Sequence, residues 1–118
     1  MTSASGASRP EVLVLAPGKV LRLGAMVDAI VDELRASPLD EATRAQIRRL
    51  YRDALVEVGS TLSDPLLEEL AGLQSAPALG SDAELRIVVA QLAGWLHGLC
   101  KGMAAGDVPY VLTSPADP

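Results

Sequence analysis

His97 and Cys100 are the pair of side chains whose types could bind a metal ion or supply a nucleophile. They lie three positions apart in an apolar segment, so a helix would place them on one face. A zinc site needs three or four such ligands, and the sequence offers no second pair. Packing within the helix, or a surface position without a chemical role, is the interpretation that this spacing favours.

Other catalytic chemistries also lack their motifs in this sequence. The acids Asp82 and Glu84 are explained by helix capping, and no serine stands in a nucleophile motif. Gly18-Lys19 is similar to the end of a phosphate-binding loop, but Val20 stands where that loop needs Ser or Thr. We therefore expect no enzyme activity, no catalytic residue, no cofactor site and no metal site.

Composition restricts the protein further. A chain of 118 residues predicts a single domain, and 49% hydrophobic residues with only 3% aromatic ones predict an aliphatic core. The formal net charge of -5 argues against nucleic-acid and anionic-membrane partners. Residues 87–100 form the longest apolar run, which is too short for a membrane span. One cysteine without a disulfide partner indicates a reducing cytoplasmic location.

Hydrophobic periodicity and capping residues predict an all-α, four-helix bundle-like protomer. We expect a disordered leader or extended arm over residues 1–16, a four-helix domain over 17–106 and a flexible tail over 107–118. The first helix is predicted over residues 18–36. The second should begin with Ser37 as its cap and Pro38 at its first position, and it should close at residues 59–60.

The third and fourth helices also have starting signals. The third should begin at residues 63–65 and end near Gly72. Ser81 and Glu84 form a capping box that predicts the start of a long fourth helix, which should fray near Gly106. The predicted core faces of the first, second and fourth helices consist of Val20, Leu23, Gly24, Val27, Ile30, Val31, Leu34, Ile47, Leu50, Tyr51, Ala54, Leu55, Val58, Leu85, Val88, Val89, Leu92, Trp95, Leu96, Leu99 and Met103.

A row of small residues recurs at every fourth position of the fourth helix and continues to Gly106, where the helix should fray; its members within the helix are Ala90, Gly94, Gly98 and Gly102. Each interior glycine costs about 1 kcal/mol of helix stability relative to alanine, so the row needs a structural reason. Positions without side chains let a second helix approach closely. We interpret these residues, with Trp95, as a helix-packing or oligomerisation surface; the second helix belongs either to the same chain or to another subunit.

Charge is segregated along the chain. Residues 35–52 carry five arginines and two acids, whereas residues 53–84 carry seven acids and no base. The two segments either form complementary surfaces on neighbouring subunits or are simply the solvated faces of helices.

Four segments carry a resemblance to a known family. They read PGKVLRLGAM at residues 17–26, RASPLDEA at 35–42, SDAELRI at 81–87 and AQLAGWLHGL at 90–99. Over residues 17–103 the chain resembles the bacterial proteasome activator family.

This resemblance implies a four-helix protomer that assembles into a twelve-membered ring coaxial with the 20S proteasome. It implies a homo-oligomer, or a hetero-oligomer with a related chain, that acts without ATP and admits unfolded protein substrates. In the family, a C-terminal Gly-Gln-Tyr-Leu sequence inserts between proteasome α-subunits and opens the gate.

The sequence departs from the family at that C-terminal motif, since it finishes at Pro118. Its nearest counterpart is Tyr110-Val111-Leu112, which we take as the candidate proteasome-docking residues. Because Tyr110 lies eight residues before the terminus, no free carboxylate stands beside it. We therefore expect either an activator with altered docking or a tail-less paralogue that acts as a structural or regulatory oligomerisation partner.

Overall fold

Four α-helices make up most of the computed structural model, which describes residues 12–36, 38–73 and 81–111. They are α1 (Pro17–Ala36), α2 (Glu41–Gly59), α3 (Asp64–Leu73) and α4 (Asp82–Ala105). The predicted all-α fold is confirmed. Helix α1 packs most extensively against α4, and α2 packs against both. In the described part of the chain, no helix combines the length and the apolar character needed to cross a membrane.

The start of α2 differs from the prediction. Pro38 is not helical: α2 begins at Glu41, and Asp40 precedes it with an extended backbone. The Asp40 carboxylate accepts a hydrogen bond from the Thr43 amide at 2.7 Å. Aspartate caps a helix as well as serine does, and its negative charge also interacts favourably with the helix dipole. Ser37, the predicted cap, lies outside the described residues.

The other helix boundaries follow their sequence signals. The capping box at α4 is confirmed: Glu84 donates its amide to Ser81 Oγ at 3.1 Å, and its carboxylate accepts from the Ser81 amide at 3.0 Å. Helix α2 ends at Gly59 and α3 begins at Asp64, as expected. Helix α4 ends at Ala105, followed by Gly106 with φ of 81°.

The core is aliphatic, as the composition predicts. Tyr51 is its one buried aromatic side chain, whereas Trp95 is half-buried and Tyr110 is exposed. The predicted inward faces are largely confirmed, with Leu50, Leu55, Val31, Val88 and Trp95 packed at the margin of the core. The buried hydrophobic residues are Val14, Val20, Leu23, Val27, Ile30, Leu34, Ile47, Tyr51, Ala54, Val58, Leu62, Leu66, Leu70, Leu85, Val89, Leu92, Ala93, Leu96, Leu99 and Met103.

A short extended segment before α1 is tied to two other parts of the chain. Val14 forms one antiparallel bridge with Leu62 and one parallel bridge with Tyr110. The Leu15 amide donates to the Thr61 carbonyl at 2.6 Å, and the Ser63 amide donates to the Leu13 carbonyl at 2.9 Å. This segment therefore joins the α2–α3 corner to the chain that follows α4.

Candidate assembly surface and docking segment

Helix α4 has two contrasting long faces. Its inner face carries Leu85, Leu92 and Leu96, which are fully buried. Ala90, Gly94 and Gly98 lie on the opposite, exposed side. Gly94 separates two surface grooves: Ala90, Val31 and Asp32 border the one toward α1, and Trp95, Leu66 and Val108 border the other.

The glycine row divides into two parts that differ in what faces them. Among the residues that the structure describes, a methyl group added at Gly94 or Gly98 would meet no atom within 4 Å, apart from its immediate chain neighbours and its own helix backbone. At Gly102 the same methyl group would lie 2.5 Å from Val108 Cγ2. Within the described part of the chain, Gly102 is therefore the one glycine of the row that another segment approaches closely, and the surface at Gly94 and Gly98 is left open.

The turn after α4 explains why position 102 is a glycine. The amides of Asp107 and Gly106 donate to the carbonyls of Gly102 and Met103 at 2.8 and 3.2 Å, which is the hydrogen-bond pattern of a Schellman motif. Gly106 supplies the left-handed conformation that this motif requires. The turn folds Val108 back onto Gly102. The sequence signal was present, because a hydrophobic residue after a C-terminal glycine commonly packs on the last turn.

Trp95 lies at the edge of the open surface, where it joins α4 to α3. Its indole N–H donates to the Glu69 carboxylate at 2.9 Å. The ring is half-buried, and together with Leu66 and Leu99 it borders the groove beside Gly98. Part of the Trp95 surface is therefore used within the protomer and part is left beside the glycine row.

His97 and Cys100 have separate surroundings. His97 Nε2 lies 2.8 Å from Asp28 Oδ2, and both side chains are largely exposed. Desolvation by burial, together with the nearby Asp28 charge, raises the pKa of the Cys100 thiol. A raised pKa disfavours the reactive thiolate. Within residues 12–36, 38–73 and 81–111, no group of three or more His, Cys, Asp or Glu side chains is placed to hold a metal ion.

Tyr110 and Val111 are held to the body of the protomer by their backbone. The Val14 amide donates to the Pro109 carbonyl at 3.0 Å, and the Val111 amide donates to the Val14 carbonyl at 2.9 Å. Their side chains remain 44% and 39% exposed. Leu112, the third candidate docking residue, lies outside the described residues. Sequence reasoning did not find this pairing, because nothing in the pattern of residues 12–15 specifies their partner strands.

Some of the segregated charges pair within the chain. Arg44 bridges Glu41 of its own helix and Asp82 of α4, and Arg48 also binds Glu41 at 3.3 Å. Lys19 of α1 binds Glu57 of α2 at 2.5 Å. Hydrogen bonds from Arg44 and then Arg48 lower the pKa of the Glu41 carboxyl, and its partners Asp82 and Glu41 raise the pKa of Arg44. These contacts fasten α2 to α1 and α4.

Comparison with known proteins gives one consistent result. The family model for the bacterial proteasome activator matches residues 2–109. The bacterial proteasome activators of Mycobacterium tuberculosis (strain H37Rv) and Mycobacterium leprae are 45% identical over 94 residues and 44% identical over 97 residues. That of Mycolicibacterium smegmatis is 43% identical over 94 residues. Each alignment covers 77% of this chain and 54% of the relative, so the chain spans about half the length of these relatives. The chain belongs to the bacterial proteasome activator family.

Proposed function

We propose that this chain forms an oligomeric ring that associates with the 20S proteasome and, without ATP, promotes or modulates the degradation of unfolded proteins. Membership in the proteasome activator family supports the proteasome as partner. On this proposal the protein is a cytoplasmic regulator and catalyses no reaction itself.

The open surface at Gly94 and Gly98 is the observation that supports assembly. Two interior glycines weaken α4, yet no part of the described chain approaches them. A helix of another copy that packs here would come close to the α4 backbone and gain contact along the row. We therefore assign Ala90, Gly94 and Gly98, with the exposed edge of Trp95, to a contact between copies.

The assembly part is tested with Gly98→Leu. In one protomer the new Cβ meets no other described segment within 4 Å, whereas in the assembly the isobutyl group occupies the place of a second helix. We expect analytical ultracentrifugation to show a smaller particle, with helix content by circular dichroism unchanged. Ala29→Leu on the exposed side of α1 is the matched control and should leave the particle mass unchanged. An unchanged mass with a lower melting temperature for Gly98→Leu would instead assign the row to the protomer core.

The proteasome part is tested by co-sedimentation with a 20S core particle and by degradation of fluorescently labelled unfolded casein without ATP. Stimulation by the unaltered chain identifies an activator. Binding without stimulation, followed by stimulation when Gly-Gln-Tyr-Leu is appended through a flexible linker, identifies an oligomerisation partner that does not open the gate. Failure to bind the core particle in either form contradicts the proposal.

A further inference from the structure

Two exposed hydrophobic side chains lie on α2 and α3, away from the α4 surface described above. Val56 on α2 is 71% exposed, the highest value among the described large hydrophobic residues, and Leu67 on α3 is 41% exposed. An exposed side chain of this size gains free energy when a partner covers it. What distinguishes the two positions is the charge around each.

Arginines accompany Val56. Arg49 and Arg52 precede it by seven and four residues, so all three lie on one side of the helix, which we call the basic α2 face. Neither arginine makes a hydrogen bond or ion pair with any residue that the structure describes, although Arg44 on the preceding turns binds Glu41 and Asp82. Asp53 lies four residues after Arg49 and three before Val56, so the basic α2 face carries one carboxylate beside its two arginines.

Acids accompany Leu67. Asp64 and Glu68 are three residues before it and one after it, and the 64–68 spacing places both carboxylates on one side of α3, which we call the acidic α3 face. Both are exposed and neither has an ion-pair partner in the described ranges. The next acid along, Glu69, is already engaged by Trp95, so it is not part of this face.

We propose that the basic α2 face of one copy docks on the acidic α3 face of a second copy of this chain. The net charges are opposite in sign, since the basic α2 face has two arginines and one aspartate whereas the acidic α3 face has two carboxylates, and each face accompanies one exposed aliphatic side chain. An apolar centre with complementary charges beside it is the usual composition of a specific contact. The inference rests on the proposed oligomer, since it names a second contact between its subunits.

The arrangement of the two faces has a consequence for the shape of the assembly. A contact between two different surfaces can repeat head to tail from copy to copy and close into a ring, which is the geometry that the proposed assembly requires. The contact would also pair arginines of residues 35–52 with acids of residues 53–84. These are charges of the two segregated segments that ion pairs within the described chain do not use.

Charge reversal tests the contact. We expect R49E/R52E to raise the dissociation constant of the assembly about 100-fold at low ionic strength, because like charges then face each other. D64K/E68K should have the same effect, and mixing the two variants should restore a particle of wild-type mass. Because Asp64 also lies in the first turn of α3, where an acid stabilises the helix, E68K alone serves as the second variant.

Matched single substitutions separate a specific contact from a change of net charge. R52E is compared with R22E, and E68K with E33K, the controls being exposed residues of α1. Only R52E and E68K should weaken assembly. Equal weakening by the controls, or no recovery on mixing R49E/R52E with either acidic-face variant, overturns the inference.

The outcome for the proposed ring can be distinguished from the outcome for this contact. A wild-type chain that stays monomeric contradicts both. If Gly98→Leu reduces the mass of the assembly while R49E/R52E and E68K leave it unchanged, the proposed ring stands and the α2–α3 contact is contradicted.

Discussion

The two faces of α4 belong to one helix but differ in what covers them. The inner face buries large aliphatic side chains against α1 and α2, and its contacts are all made within the protomer. The outer face presents Ala90, Gly94 and Gly98 to open space. The inner face should therefore determine whether a single chain folds, whereas the outer face should affect mainly how copies associate.

Truncating the inner face should have the largest effect. Leu96 is fully buried, so Leu96→Ala should lower the free energy of unfolding by about 2–5 kcal/mol through lost burial and a residual cavity. Urea denaturation at low protein concentration measures this. Ile87→Ala on the outer face, where the side chain is 56% exposed, is the control and should change stability by less than about 0.5 kcal/mol. Equal costs at the two positions would contradict the division between the faces.

Gly102 is the position in the row of small residues that packs against another segment of the same protomer, at Val108. Gly102→Ala should destabilise the chain by about 1–3 kcal/mol, because the new methyl group would lie 2.5 Å from Val108 Cγ2 and the turn must shift. Combining it with Val108→Ala should cost less than the sum of the two single changes in urea denaturation. Strict additivity would show that Val108 can move away freely.

The elements of the fold could be predicted because their signals are local. The capping box at Ser81 and Glu84, the glycine after α4 and the aliphatic periodicity each act within a few residues, and the structure follows them. The predicted start of α2 was wrong because two residues that can cap a helix, Ser37 and Asp40, lie close together in the sequence. Local chemistry favours neither strongly, so a small energetic difference decides.

The surroundings of the candidate surface could be predicted only in part. The four-residue spacing identified the row, but the sequence does not show that Val108 covers Gly102 and leaves Gly94 and Gly98 open. The pairing of Val14 with Leu62 joins segments 48 residues apart, and its pairing with Tyr110 joins segments 96 residues apart. Such contacts depend on how whole helices pack, and no pattern within either segment determines them.

Replacing the open glycines should have a smaller effect on the dispersed chain, and in the opposite direction. Gly94→Ala and Gly98→Ala should each raise the free energy of unfolding by up to about 1 kcal/mol, because alanine favours the helix and no other segment of the described chain lies within 4 Å of the new methyl group. Urea denaturation at a protein concentration too low for assembly measures this. A loss of stability there would reveal a neighbour within the chain and contradict the open outer face.

The smallest effect concerns the ionic contacts of Glu41 at the start of α2, which should depend on pH where the apolar inner face of α4 does not. Hydrogen bonds from Arg44 and Arg48 hold the Glu41 pKa below its usual 4.5, so the folded state releases this proton more readily than the unfolded chain. The stabilisation is therefore present above about pH 4.5 and is lost as the pH falls through the lowered folded-state pKa. Glu41→Gln should lower the urea midpoint slightly at pH 7 and by less at pH 3, because protonation of the wild-type carboxyl removes the same charge. Glu33→Gln is the exposed control, and Leu96→Ala should cost the same at both pH values. A Glu41→Gln effect as large at pH 3 as at pH 7 would show that the side chain acts by packing and not through its charge.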